Sequence, residues 1–228
     1  MSTENASQPL LSKLQARALS CRRCAQAGLP AYGQPICSGS AAARLMIVGQ
    51  APSSSDERNH RLWTGPAGQR LMEWMAWVGL PEVTLRSRHY LTAVCKCYPG
   101  FDPSGQGDRA PSQLQVALCR QYLHAELALV APRLIVPVGR LAIDFFGGQG
   151  QRLERLVGRA IAAEGTWIVP LPHPSGASTW LNQPDHQQLL ARALAILREL
   201  CLALGIIDDT SSGLYSLVNP GRYRWQAN

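Results

Sequence analysis

No apolar run in this 228-residue chain approaches the ~18 residues that a membrane-spanning helix needs. The opening Met1-Ser-Thr-Glu-Asn-Ala6 has neither the basic nor the apolar region of a signal peptide. Both absences predict a cytoplasmic protein with no membrane partner. Acidic side chains are also in deficit, 15 Asp and Glu against 22 Lys and Arg, mostly Arg, which leaves a formal charge of +7. Such a surplus favours a polyanion, and the guanidinium fork suits phosphate, although a merely basic soluble protein carries the same excess. The length fits one domain with a sizeable core. Cysteine is not scarce, and seven of them in a cytosolic chain argue against disulfides and for metal binding or catalysis.

Residues 45 to 65 organise the pattern. Leu45-Met-Ile-Val-Gly49 is a short apolar run, followed by Gln50, Ala51, Pro52 and three serines, which reads as a buried strand ending abruptly in a polar loop. In an open α/β sheet the loops at the carboxyl ends of strands form the ligand crevice. Gln50 and Trp63 therefore stand where one could bond a small planar ligand and the other stack on it, though a tryptophan under a loop is also common as plain core.

Upstream, residues 1 to 8 are polar and read as frayed, and Leu10, Leu11, Leu14 and Leu19 predict a short amphipathic helix that delivers Cys21-Arg-Arg-Cys24. A Cys-x-x-Cys sets two thiolates on one side of a turn, open to zinc, a cluster or redox chemistry. Because the motif follows a helix and enters a Gly/Pro-rich stretch, where Cys37 reads as free, thioredoxin-like use is disfavoured. Downstream, residues 67 to 78 have helical spacing, with Trp74 and Trp77 as core or interface. Residues 90 to 97 form a second strand, and residues 98 to 111 a Gly/Pro/Asp loop of the length that is usually functional or disordered. A helix over 111 to 131 holds Cys119. A third strand covers 134 to 139, a short helix 140 to 146 and a fourth strand 166 to 171, ending in Pro172-His-Pro-Ser-Gly176. The last helix, 184 to 204, keeps Cys201 in the core, and the tail ending Arg222-Tyr-Arg-Trp225 reads as flexible, with the make-up of a nucleic-acid arm.

Strands alternating with helices imply an α/β fold of three layers, with helices on both faces of a central, mainly parallel four-stranded sheet. Residues 1 to 13 are expected to be flexible, 14 to 204 to form the domain, and 205 to 228 to be a flexible tail. The loops carrying Gln50, Arg109 and His173 all follow strands, so they should converge on one edge of the sheet.

Together these residues resemble the uracil-DNA glycosylase superfamily, in particular its iron-sulfur branch, families 4 and 5. Gly49-Gln-Ala-Pro-Ser53 is similar to the family 4 motif Gly-Glu-Ala-Pro-Gly, and Arg61-Leu-Trp-Thr-Gly-Pro-Ala-Gly-Gln69 to Arg-Pro-Phe-Val-Gly-Lys-Ala-Gly-Gln. Thr92-Ala-Val-Cys-Lys-Cys97 is similar to Thr-Asn-Ile-Val-Lys-Cys, and His173-Pro-Ser175 to the terminal motif. The likeness implies a four-iron four-sulfur cluster on Cys21, Cys24, Cys97 and Cys119, with Cys95 as the spare; structural zinc on the same four thiolates is the alternative. It further implies a monomeric, monofunctional glycosylase of base excision repair that flips a base out of DNA. Gly49, Ala51, Pro52, Trp63 and Ala93 would line its pocket and Trp63 would stack on the base. His173 would donate to the base oxygen. Ser175, Gly176 and Arg109 would meet phosphate, while Trp180 and Leu181 would wedge into the vacated stack.

Two substitutions qualify the activity the resemblance implies. Gln50 stands where family 4 has a glutamate; an amide orients water without taking its proton, so a slower enzyme is expected. Ala93 stands where the family has an asparagine that reads the uracil edge, so the range could extend to hypoxanthine or xanthine, with uracil first. Two other classes stay open: a catalytically weak binder of damaged or single-stranded DNA, and a covalent trap in which His173 attacks the sugar.

Overall fold

The structure, a computed structural model, describes residues 4–105, 107–163, 165–176 and 178–208. It opens with α1 (Glu4–Leu19) and a single turn, α2 (Arg23–Gln26). The first strand, β1 (Leu45–Gly49), is followed by α3 (Ser54–Asn59), α4 (Pro66–Val78) and α5 (Glu82–Arg88). Next come β2 (Tyr90–Ala93), α6 (Gln113–Val130), β3 (Leu134–Pro137) and α7 (Arg140–Ile143), which runs into a π turn at Asp144–Gly148. After α8 (Leu153–Leu156), β4 (Ile161–Ala163) and β5 (Thr166–Ile168), a 3-10 turn at Thr179–Asn182 leads into α9 (Pro184–Ala203).

The strand order is β2-β1-β3-β5-β4, with all pairs parallel except the β4/β5 hairpin. The sheet thus has five strands where four were expected. The additional one, Ile-Ala-Ala, is a three-residue exposed edge with no period-two pattern to announce it. Helices cover both faces, as the near-continuous apolar strands require. Leu45 and Ile47 of β1 pack on one side with α4 and α9, while Met46 and Val48 pack on the other with α1 and α6.

Two boundaries move. The second strand ends at Ala93 rather than Cys97, because residues 94 to 97 bend out of the sheet, so Cys95 and Cys97 do not lie on successive pleats of one strand. The amino-terminal segment expected to be flexible is helical from Glu4, and Leu11 is wholly buried. Residues 209 to 228, with the arm-like Arg222 to Trp225, lie outside the described residues.

Parallel pairing fixes what faces what. Gly49 stands opposite Ala93, and Val48 opposite Pro137, so β1, β2 and β3 deliver their following loops to one edge. A bridge from Val138 to Leu171 brings the His173 loop to the same edge.

Candidate active site

A cavity of about 560 Å³ opens at that edge. Gly49, Gln50, Ala51, Pro52, Trp63, Ala93, Arg109, His173, Ser175 and Gly176 all line it. The strand-end loops expected to meet do meet.

Trp63 is placed by backbone strain that its neighbours hold in check. Its φ is +62°, in the left-handed region that costs a bulky residue on the order of 1–3 kcal/mol. The Arg86 guanidinium donates to Leu62 O at 2.8 Å and to Trp63 O at 3.0 Å, and Glu82 in turn accepts from Arg86 Nε at 2.7 Å. Asp56 Oδ1 accepts from both the amide (2.7 Å) and the hydroxyl (2.9 Å) of Thr64, while Oδ2 closes the capping box of α3 by accepting from Ser53 N at 3.0 Å. Asp56 is therefore a rivet in the loop, with both oxygens occupied. Glycines admit the ring and its backbone: a Cβ on Gly49 would stand 2.8 Å from the indole Cζ2, and one on Gly68 would stand 2.2 Å from the Trp63 carbonyl.

His173 is set by a different device. Its Nδ1 accepts the Ser175 amide at 3.3 Å and lies 2.8 Å from the Ser175 hydroxyl. An amide can only donate, so a neutral ring must carry its proton on Nε2. Burial pushes the pKa down and favours that neutral form. The ring rests on Gly139, where φ is +84° and a Cβ would stand 3.0 Å from Cδ2. From the helix beneath, Arg70 donates to Pro174 O at 3.0 Å and fixes the loop. Arg70, Arg86 and Gly139 carry no signal of these roles in the sequence; each acts through a partner that only the fold supplies, 104 residues away for Arg70.

The two wedge candidates are placed otherwise. Leu181 is 6% exposed and belongs to the core, so it is not a surface wedge. Trp180 donates its indole N–H to Glu154 Oε1 at 3.0 Å and stacks on His186 with centroids 4.2 Å apart and planes 10° from parallel. Neither residue lines the cavity. An apolar pair beyond a catalytic loop looks the same in sequence whether it caps a core or projects from it.

On the other side of the chain leaving β2 lies a second, smaller cavity of about 40 Å³, lined by Cys21, Cys24, Cys97 and Cys119 together with Lys96 and Tyr122. The thiols feel one another. Burial first, then the neighbouring Cys119 and Cys21, pushes Cys24 up, and Cys97 is pushed up to about 12 by burial and then by Cys119, Cys24 and Cys21. Lys96 N–H donates to Cys119 Sγ at 3.3 Å. Cys95 stands beside Cys119 without lining the cavity, and Cys37 also stands outside its wall. Among the described residues, no group of three His, Cys, Asp or Glu side chains is arranged to hold a single metal ion.

Between the two cavities runs a buried ion pair. Lys96 Nζ donates to Glu126 Oε2 at 2.7 Å, to Thr92 Oγ1 at 2.6 Å and to Ala93 O at 2.7 Å, both charged side chains being 1% exposed.

A mainly parallel α/β sheet whose strand ends gather an indole ring and a half-buried histidine into one crevice has the form of a small-molecule site at the carboxyl ends of the strands. The uracil DNA glycosylase superfamily model matches residues 37–198, and the chain belongs to that family, as a glycosylase-type hydrolase. The chain is 24% identical over 207 residues to the Type-4 uracil-DNA glycosylase of Sulfurisphaera tokodaii, covering 84% of this chain and 85% of that one. It is 27% identical over 172 residues to the Type-4 uracil-DNA glycosylase of Archaeoglobus fulgidus, covering 72% and 79%. A DNA polymerase of Bacillus phage SP01 is 29% identical over 163 residues, which is 71% of this chain and 16% of that protein. No helix among the described residues is long and apolar enough to cross a membrane.

Proposed function

We propose that the protein hydrolyses the N-glycosidic bond of uracil in DNA, flipping the nucleotide into the 560 Å³ cavity and leaving an abasic site. The observation that carries this reading is His173, held neutral with Nδ1 occupied by Ser175 and Nε2–H left to donate. The C1′–N1 bond breaks with its electron pair leaving on the base, and Nε2–H meets the negative charge that gathers on the base oxygen. The sugar becomes oxocarbenium-like, water adds to C1′, and the proton it sheds balances the departing anion. Trp63 covers the face of the base. Gln50, whose carboxamide has no hydrogen-bond partner among the described residues, orients the water. Ser175 spends its hydroxyl on His173, so phosphate contact falls to Gly176, which is exposed with open space around it, and to Arg109. Ala93, without a side-chain amide, leaves the base edge unread, which supports hypoxanthine and xanthine as further substrates.

Cys21, Cys24, Cys97 and Cys119 fit a four-iron four-sulfur cluster: four thiols from three stretches of chain face one hollow, and a backbone N–H points at one sulfur, the kind of bond that ligand thiolates receive. When bound, the cluster supplies a cross-link between α2, α6 and the start of the 98 to 111 loop.

The test is release of base from oligonucleotides carrying one uracil, hypoxanthine or xanthine. Alkali-labile breaks at uracil are expected, from a brown protein with visible absorption. Intact oligonucleotides throughout, with tight salt-dependent binding, would instead select the DNA-binding reading that Gln50 and Ala93 favour.

A further inference from the structure

Two large aromatic side chains beside the pocket stand largely in water. Phe101 is 65% exposed and Tyr32 54% exposed. Both lean on Tyr98, which is 6% exposed: the Tyr32 and Tyr98 centroids are 6.0 Å apart, and those of Tyr98 and Phe101 5.9 Å apart at 89°. The array is rigid. Tyr32 N–H donates to Tyr98 O at 2.9 Å, Arg109 N–H to Gly100 O at 2.9 Å, and the Tyr32 ring lies across Gly100, where a Cβ would stand 2.6 Å from it. It is also continuous with the pocket rim. The Tyr98 hydroxyl donates to Asp108 Oδ1 at 2.8 Å, Asp108 Oδ2 accepts from Ser54 N at 3.1 Å, and Asp108 and Arg109 line the large cavity.

Cations frame the rings. Arg109 lies at the rim, Arg58 is near enough to act on the Tyr98 hydroxyl, and Arg22 and Arg23 share a cavity wall with Ala31 and Gly33, the neighbours of Tyr32. Exposed rings interleaved with arginines are the means by which proteins hold unpaired nucleotides, since every base offers a π-face and every linkage a phosphate. In a duplex the flanking bases are already stacked on each other, so such rings compete only for unpaired ones.

We propose that Tyr32 and Phe101 form a stacking platform for the unpaired nucleotides flanking the flipped one, so that the site takes a segment of single-stranded DNA. The inference rests on the pocket being the seat of the flipped base. The test is anisotropy of labelled oligonucleotides, single-stranded and as blunt duplex, with the full-length protein and its Phe101→Ala, Tyr32→Ala and Phe101→Trp variants, each checked for an unchanged melting temperature. Single-strand affinity should fall about tenfold in either alanine variant, an order of magnitude in keeping with loss of one stacked base, while duplex affinity changes less than twofold and Phe101→Trp restores binding. Equal losses on both substrates, or no loss, would overturn the platform, as would rings whose removal abolishes self-association and leaves DNA binding intact. Base release is scored separately. A wild-type protein that releases no base but shows the expected affinity pattern refutes the glycosylase reading and keeps the platform; normal release with unaltered single-strand affinity does the reverse.

Discussion

The base pocket and the cysteine cavity share a wall, the chain that leaves β2, yet they are held together in different ways. The pocket is tied by direct bonds between its own parts: Arg86 to the Trp63 carbonyl, Asp56 to Thr64, Arg70 to Pro174, Ser175 to His173. The cysteine cavity gathers free thiols from α2, α6 and the turn after β2, with Lys96 N–H on Cys119 as a direct tie among them. One site is preorganised by the fold; the other has the form of a socket that a cluster would fasten. Preorganisation suits a site whose donors must face developing charge without rearranging.

The largest effect should come from the shared wall. Lys96→Met leaves Glu126 buried without its counter-charge, with the Thr92 hydroxyl still donating to it at 2.8 Å, which costs about 3–5 kcal/mol. A melting temperature lower by about 10 °C is expected. Lys96→Met combined with Glu126→Leu should recover most of it. If the single variant melts like the parent, the ion pair does not brace the wall.

Next comes His173→Ala, which removes the donor and its tie to Ser175 while the Arg70 bond to Pro174 O still holds the loop. Rate constants for base release should fall about 10²–10³-fold, as for loss of one donor to a developing anion. Visible absorption and melting temperature should stay near the parent's. A drop in absorption would mean that the two regions are less independent than their bonding implies.

Gly139→Ala tests the same pocket more gently. The new Cβ meets His173 Cδ2 at 3.0 Å in a backbone that φ +84° already makes unfavourable, so the ring must shift. Base release should slow by about tenfold, from a displacement worth on the order of 1 kcal/mol, with the cysteine region unaffected. The contrast also explains what was readable in the chain. Motif residues such as Gly49, Trp63 and His173 could be placed on one edge because strand ends announce themselves by an apolar run stopping at glycine or proline. Gly139 sits at such a stop too, yet its role requires knowing that the His173 ring lies across it. Leu181 erred in the other direction: a leucine beyond the loop carries no sign of whether it faces solvent or core, and α9 and the sheet bury it. The five-strand count was illegible for a similar reason, since β4 is three exposed residues held only by its hairpin partner.

The smallest effect separates acid inactivation from acid unfolding. His89, at the amino end of β2, is buried with both ring nitrogens unpartnered among the described residues, and burial followed by Arg88 pushes its pKa down to about 4. A histidine that binds its proton less well folded than unfolded contributes stability that is complete above the unfolded pKa of about 6.5 and is lost as pH falls from there towards 4. Between pH 6.5 and 5.5 the loss is about 1 kcal/mol, a few degrees in melting temperature. His173 is pushed down by burial as well, but its protonation acts on chemistry: a proton on Nδ1 would face the Ser175 N–H, and the ring would turn. His89→Leu, which strands no polar partner, should therefore reduce the fall in melting temperature across this range, leaving the share that His173 contributes, while the acid fall in base release stays in place. If the substitution flattens both profiles, the acid limb of activity is unfolding from the far end of β2 and says nothing about the pocket.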